Sequence, residues 1–173
     1  MARSPRSQWQ KSRGGFALIE FTIIAVPMIF LTLSIIEASI GMWQYHSMAF
    51  AVDSATRLAV THGRTCTQNG NTCSITLGTL TTYLVSQAPA LEASKLNLTL
   101  YTHASTTACY PLTNCTSSTA QFPDSTDNAV NFDVNIVVSY PVANPMPMLW
   151  PGSQASPGSA FTLSATSRQR IVF

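Results

Sequence analysis

The sequence predicts an α+β protein in which a long N-terminal helix packs on a small antiparallel sheet, as a compact domain on a helical stick. Two observations predict this fold. Residues 16–43 are almost continuously apolar, and apolar positions then recur at three- and four-residue steps as far as residue 59. Further along the chain, several segments alternate apolar and polar residues with the period of a β-strand.

Charge is scarce and unevenly distributed. Only 9% of the 173 residues are charged, against about 25% in soluble domains. The tip, residues 1–15, has four basic residues and no acid, so the nine basic and seven acidic residues of the chain leave five and seven beyond it. The net charge of +2 therefore belongs to this tip, which flanks the apolar segment as the cytoplasmic side of a membrane helix does. We expect the partner to be a membrane and not nucleic acid.

The apolar segment is long enough to cross a bilayer, which takes about 20 helical residues. It is too long for the core of a cleaved secretory signal, about 7 to 15 residues. Two acids lie near its ends, Glu20 and Glu37. Carboxylates in hydrocarbon are energetically costly. Glu37 is expected near the outer membrane–water boundary, where water can solvate it, but a purely anchoring helix leaves Glu20 unexplained.

Beyond Gly41 the helix is expected to continue as an amphipathic stalk, with Asp53 and Arg57 as an i,i+4 ion pair and an end near 62–63, where Gly63 can act as a C-terminal cap. The chain then divides into a basic leader (1–15), a transmembrane and stalk helix (16–62) and an extracytoplasmic α+β domain (63–173). The apolar stripe of the stalk consists of Tyr45, Met48, Ala49, Val52, Ala55, Leu58 and Ala59.

Within the domain, the spacing of Leu77, Leu80 and Leu84 predicts a short helix that ends before Pro89. "LNLTLYT" at 96–102, "VNFDVNIVVSY" at 130–140 and "AFTLSATSRQRIVF" at the end of the sequence predict three strands. The proline-rich stretch 141–159 is expected to end the second of them. A sheet this small needs the stalk helix as its packing partner.

The cysteines form two local pairs in polar surroundings, which predicts disulfide loops in an oxidising compartment. Three connectivities are open. Zinc is the competing interpretation, but the CxxC spacing is missing and the three histidines, His46, His62 and His103, are scattered. We expect no metal site and no cofactor. The cysteines are Cys66, Cys73, Cys109 and Cys115.

No catalytic motif stands out. The sequence has no GxSxG, Walker loop, HExxH or glycine-rich dinucleotide pattern. Asp124, Asp127 and Asp133 do not have the spacing of a calcium loop. We therefore expect that the protein is not an enzyme.

The stretch "RGGFALIEF", residues 13–21, resembles the processing site of type IV prepilins, in which cleavage follows a glycine and a glutamate takes the fifth mature position. The closer resemblance is to the TadE-like family, minor pilins or pseudopilins of tight-adherence (Flp-type) pilus systems. It runs from about residue 14 to residue 60 and rests on "GGFALIEF", Pro27, "SIIEASIGMW" and "AFAVDSATRLAV". The related TadG-like proteins are generally longer and carry a further domain.

This resemblance implies a membrane-held precursor that a prepilin peptidase cuts after Gly15, with Gly14, Gly15 and Phe16 as the processing site. Two glycines offer the protease an extended, unhindered backbone. The resemblance also implies that the new amine of Phe16, in a neighbouring subunit or the same chain, pairs with Glu20 one helical turn away. No other register of the helices would leave the acid paired.

The implied partners are the prepilin peptidase, other pilins and the pilus assembly platform proteins. The implied location is the bacterial inner membrane, crossed once, with the C-terminal domain in the periplasm or outside the cell within a pilus. Two alternatives are open: a single-pass membrane-anchored protein that is not processed and binds a partner or surface glycan, and a secreted enzyme.

Overall fold

The computed structural model describes residues 13–62, 75–143 and 160–172. The chain divides into two compact units, residues 1–39 and 40–173. One helix and one antiparallel sheet dominate the described residues, so the predicted α+β class is confirmed.

The first helix, α1, runs from Arg13 to Val60. It begins three residues before the predicted start and includes Gly14 and Gly15. Glycine lowers helix stability but does not prevent a helix from forming. Its end matches the prediction closely: the Thr61 amide still donates to the Arg57 carbonyl four residues back, and the His62 amide donates to the Ala59 carbonyl three residues back. The predicted cap, Gly63, lies outside the described residues.

A four-stranded antiparallel sheet forms in the second unit, in the order β2-β1-β3-β4. A short helix, α2 (Leu77–Gln87), precedes it, as the leucine spacing predicts, and a single 3-10 turn (Leu112–Cys115) follows the second strand. The strands are β1 (Asn97–Tyr101), β2 (Thr106–Cys109), β3 (Asp133–Ala143) and β4 (Ala160–Arg170).

Two details of the predicted sheet were wrong. Three strands were predicted, but the sheet contains a fourth, β2, a short edge strand in the polar stretch 103–128 that the sequence conceals because it shows no apolar alternation. The strand predicted at 130–140 begins at Asp133 and passes Pro141 to reach Ala143. Pairing with β1 stops at Ser139, so β3 is an edge on that side at Pro141, and a proline without an amide hydrogen is tolerated there.

The core lies between one face of the sheet and the two helices. Leu98, Leu100, Ile136 and Val138 are completely buried on the sheet, and they belong to one apolar cluster with residues of α1 and α2. The predicted stripe is confirmed at Met48, Val52, Ala55 and Ala59, all buried, whereas Tyr45 remains 41% exposed. Burial of a leucine side chain such as Leu98 or Leu100 contributes about 1.5–3 kcal/mol. The packing of the sheet against the two helices is therefore the main source of the unit's stability.

The loop after the 3-10 turn caps the start of α2. The amides of Leu77 and Gly78, which have no partner within the helix, donate to the carbonyls of Ala120 and Ser118 at 2.7 Å and 3.0 Å. The hydroxyl of Thr76 accepts from the third amide, that of Thr79. The loop can approach this closely because residue 78 has no side chain.

Candidate processing and assembly site

The first part of α1 exposes apolar side chains on every side. Phe16 is 80% exposed and Phe21 is 70% exposed. In the most apolar stretch of 18 residues in this helix, no residue is buried. The helix is long and apolar enough to cross a membrane. A surface of this composition needs lipid or other helices around it, because water would be an unfavourable neighbour.

The hydroxyl groups in this segment donate hydrogen bonds to backbone carbonyls of the same helix. Thr22 donates to the carbonyl of Ile19, Thr32 to that of Met28, Ser34 to that of Phe30 and Ser39 to that of Ile35, at 2.7–2.9 Å. Such bonds to the preceding turn remove the need for water and make these side chains compatible with hydrocarbon. Because Glu37 is expected at the membrane–water boundary, Glu20 is the acid of this segment that needs an external partner.

Glu20 lies on an exposed part of α1, one helical turn after Phe16. No hydrogen bond or ion pair reaches its carboxylate from residues 13–62, 75–143 or 160–172. An ionised carboxylate in an apolar environment requires a positive partner or it loses its charge. Its placement within one turn of the predicted new amine is the geometric feature that the resemblance to pilins implies.

The processing hypothesis expects an extended backbone at Gly14 and Gly15. In the structure, both residues lie in the first turn of α1. Glycine is the residue that lowers helix stability most apart from proline, by roughly 1 kcal/mol each relative to alanine. Two in succession at a helix start make that turn easy to unwind. The glycine pair can thus be helical and still unwind locally to an open backbone.

Two further residues mark the same helix. Pro27 lies inside α1 and supplies no amide hydrogen for the carbonyl one turn earlier, which weakens the helix locally. Glu37 is partly buried, and the described part of the chain contributes no hydrogen bond or ion pair to it.

One of the two predicted disulfides is confirmed. Cys109 and Cys115 are bonded, with a Cα–Cα distance of 5.8 Å, and the bond joins the end of β2 to the 3-10 turn. Cys66 and Cys73 lie outside the described residues, so their pairing stays a prediction.

The three aspartates considered for calcium point to different partners. Asp124 accepts from the nearby amide of Thr126, and Asp133 forms an ion pair with Arg168. Asp127 is 2% exposed, and it accepts from the Thr102 hydroxyl and the Ala104 amide. They form no common cluster, and the described residues contain no group of three ligands suited to a metal.

The histidines are equally separate. The His62 ring lies 2.7 Å from the carbonyl of Leu58 at the end of α1, and His46 makes an edge contact with Tyr45. His103 stacks on Phe132, with ring centroids 4.4 Å apart. The described residues thus contain no histidine that belongs to a group of three potential metal ligands.

Asp53 has a role that the sequence only half predicts. The expected ion pair with Arg57 is present at 2.9 Å. The other oxygen of Asp53 accepts from Gln169 at 3.0 Å and from Ser167 at 3.4 Å, both on β4. This carboxylate therefore ties the stalk part of α1 to the edge of the sheet. The sequence does show polar residues, Ser167 and Gln169, at alternate positions of β4. It does not show that Asp53 is their partner, because that contact depends on the tertiary fold.

The geometry thus defines a class: a protein with an N-terminal helix suited to a membrane and a small α+β unit carried on its C-terminal part. Comparison with known families refines this class. Residues 15–57 match the model of the family described as TadE-like protein, which confirms the resemblance over most of α1. No curated protein and no solved structure matches the chain.

Proposed function

We propose that the chain is the precursor of a TadE-like minor pilin or pseudopilin, and that its role is structural and not enzymatic. A prepilin peptidase cuts it after Gly15 on the cytoplasmic side of the inner membrane. The mature chain, with its C-terminal domain in the periplasm, then takes part in assembly of a tight-adherence type IV pilus or a secretion pseudopilus, together with other pilins and the platform proteins. A pilus subunit would finally lie outside the cell and support adhesion.

The observation that carries this proposal is the carboxylate of Glu20. It lies in an apolar, exposed helix one turn after Phe16, and it lacks a partner among the described residues. Cleavage after Gly15 would create an α-amino group of opposite charge at the right distance along the helix. The pairing of that amine with Glu20 of a neighbour supplies both the neutralisation and the stagger between subunits.

The size of the effect explains why it sets the register. Removing one partner of a buried ion pair costs about 3–5 kcal/mol, because the other charge is left uncompensated. Apolar helix packing in lipid has little directional preference by itself. A single charged pair per contact is therefore enough to favour one stagger over its neighbours, which differ by one helical turn.

The first test is the N terminus of the mature protein. The full chain is produced with and without a prepilin peptidase, extracted from membranes, and examined by intact mass and N-terminal sequencing. We expect a chain that starts at Phe16 only when the peptidase is present. Gly15→Val should block the cut, because a β-branched side chain hinders the backbone, whereas Gly41→Val, in open space on the same helix, should be cut normally.

A chain that still starts at Met1 or Ala2 in cells that contain the peptidase and make the assembly would refute the proposal and favour the unprocessed membrane-anchored binding or adhesion protein. The second test separates insertion from assembly. Glu20→Gln should resist alkaline extraction from membranes like the wild type but cross-link poorly to neighbouring subunits. Glu37→Gln is the matched control and should assemble, so equal assembly of both variants would contradict the register role of Glu20.

A further inference from the structure

A cleft of about 450 Å³ opens on the face of the sheet that points away from the core. Three of its residues form one row across three strands, because Tyr101 on β1 is the register partner of Asn135 on β3, which in turn is the partner of Arg168 on β4. The turn after β1 and the residues before β3 complete the walls with His103 and Phe132. The site thus joins three separate segments of the second unit, residues 101–103, residues 131–135 and Arg168.

Aromatic rings form one side of the cleft. The His103 ring stacks on Phe132 at 4.4 Å with an interplanar angle of 22°, and it is itself exposed. Tyr101 is 41% exposed beside them, and no described residue hydrogen-bonds its hydroxyl. Exposed aromatic faces of this kind offer a flat apolar platform with a polar rim.

Unused hydrogen-bond donors form the other side. Arg168 contacts Asp133 through one nitrogen at 2.7 Å, and its side chain is 70% exposed. Within the described residues its other guanidinium nitrogens have no partner. The side-chain oxygen of Asn135 accepts from Thr166 at 2.9 Å, which leaves the amide nitrogen available. The cleft therefore presents donors in excess of acceptors.

The strand side of the cleft holds more positive than negative groups. Asp133 lies between two arginines, at 2.7 Å from Arg168 and 3.5 Å from Arg170. One carboxylate shared by two guanidinium groups leaves one positive charge on this side, and Asp127, which accepts from the residues that flank His103, balances it over the surroundings as a whole. A ligand that carries a carboxylate would complete this arrangement with a bidentate contact to Arg168.

Hydrogen bonds within the chain hold the walls of the cleft. Asp127 holds both residues that flank His103. At the opposite wall, Asn131 adopts a left-handed backbone with φ 73°, and its amide donates to the carbonyl of Ile171 at 3.0 Å. Asparagine is one of the few residues besides glycine that adopts this conformation readily, and the hydrogen bond to Ile171 fixes the turn. Such preorganisation reduces the entropy lost on binding.

We propose that this cleft binds a uronic acid unit of an acidic polysaccharide. The aromatic rings suit the apolar face of a sugar ring, the amide of Asn135 and the Tyr101 hydroxyl suit its hydroxyl groups, and Arg168 suits its carboxylate. The volume lies within the usual range of small-ligand sites, about 300–1,000 Å³. A nucleic acid would require a more extended basic surface, and an apolar peptide would leave the donors unpaired. This inference is independent of cleavage after Gly15.

The test uses the full chain in nanodiscs of zwitterionic lipid, which add no net charge. Binding is measured by biolayer interferometry to immobilised hexasaccharides of galacturonate, mannuronate and glucuronate, and to their methyl esters, which remove only the charge. We expect at least one acidic hexasaccharide to bind about tenfold or more tightly than its ester, because hydrogen bonds between charged groups are strong. Arg168→Gln should abolish that preference, and His103→Ala should weaken both ligands.

Arg57→Gln is the matched control, since Arg57 is an exposed arginine that also pairs with an aspartate. It should bind like the wild type. The inference is overturned if no hexasaccharide of the panel binds, if esters bind as tightly as acids, or if Arg57→Gln loses as much affinity as Arg168→Gln. Equal binding of a hexaglutamate peptide would also overturn it, because the carboxylate alone, and not the sugar, would then be recognised.

Discussion

Asp127 controls the turn that presents His103, and its replacement gives a sharp test of the fold around the cleft. The carboxylate is 2% exposed. It accepts from the Thr102 hydroxyl and, at 2.8 Å and 3.0 Å, from the Ala104 amide. Asp127→Asn keeps the size of the side chain but removes its charge and turns an acceptor into a donor that faces other donors.

The expected loss follows from these contacts. A hydrogen bond to a charged group contributes about 1.5–3 kcal/mol, and a buried donor left without an acceptor is penalised further. We therefore expect Asp127→Asn to lower the free energy of unfolding by about 2–3 kcal/mol. The control is Asp124→Asn on the same loop, since Asp124 is exposed and accepts only from its immediate neighbours Ser125 and Thr126, so its removal should change stability little.

The loss should also depend on pH in one direction. Burial alone would raise the pKa of Asp127, but the hydrogen bonds from Thr102 and Ala104 outweigh it and lower the pKa below its ordinary value. A carboxyl group with a lowered pKa in the folded state stabilises the fold above its unfolded pKa of about 3.9, and this stabilisation is lost as the pH falls through the folded value. The difference between wild type and Asp127→Asn should thus be full at neutral pH and shrink below about pH 4.

The assay is chemical denaturation of the full chain in detergent micelles, followed by near-ultraviolet circular dichroism at several pH values. Hydrogen exchange measured by mass spectrometry on residues 102–105 adds a local signal, which should show faster exchange in Asp127→Asn. A variant as stable as the wild type at pH 7, or a difference that persists unchanged at pH 3, would refute the reasoning.

Two further substitutions probe the packing of the second unit. Gly78→Ala should destabilise it by about 1–2 kcal/mol, since the new Cβ would lie 2.6 Å and 2.8 Å from two backbone oxygens of the capping loop. Gly41→Ala, with nothing within 4 Å, is the control, and equal melting temperatures would contradict this account. Asp53→Ala should lower the unfolding free energy by about 1 kcal/mol, mainly through Gln169. Arg57→Gln, which removes only an exposed ion pair, should lower it by less than about 0.5 kcal/mol, and equal losses in denaturation would show that the Gln169 contact contributes nothing.

Periodicity made the regular elements predictable wherever one face of an element is buried. Met48, Val52 and Ala55 show the helical spacing, and all three are buried as expected. Alternation on β3 and β4 worked for the same reason, because one face of each strand packs on the core. It failed for β2, Thr106–Cys109, whose position depends on pairing with β1 and on the disulfide at its end.

The sequence was sufficient to predict the processing site but not the cleft. The processing motif is contiguous, so residues 13–21 were sufficient to suggest it. The cleft is not contiguous: Tyr101, Asn135 and Arg168 meet only because of strand order and register, and alternation fixes the face of a residue but not its neighbour on the next strand. The same limit applies to Asp53, whose partner on β4 is distant in sequence.

The distribution of partners among the acids connects the fold with the proposed assembly. The chain has seven acidic residues, and five of them lie beyond the first unit. Each of those five has a hydrogen bond or ion pair within the described structure. The described residues supply no such partner to Glu20 or Glu37. Because Glu37 is expected at the membrane–water boundary, Glu20 is the acid whose apolar surroundings make an unpaired charge most costly. A fold that satisfies every acid of its compact unit from within, and leaves Glu20 of the apolar helix open, is what a subunit needs if that helix is to be completed by a neighbour. The five acids with partners are Asp53, Glu92, Asp124, Asp127 and Asp133.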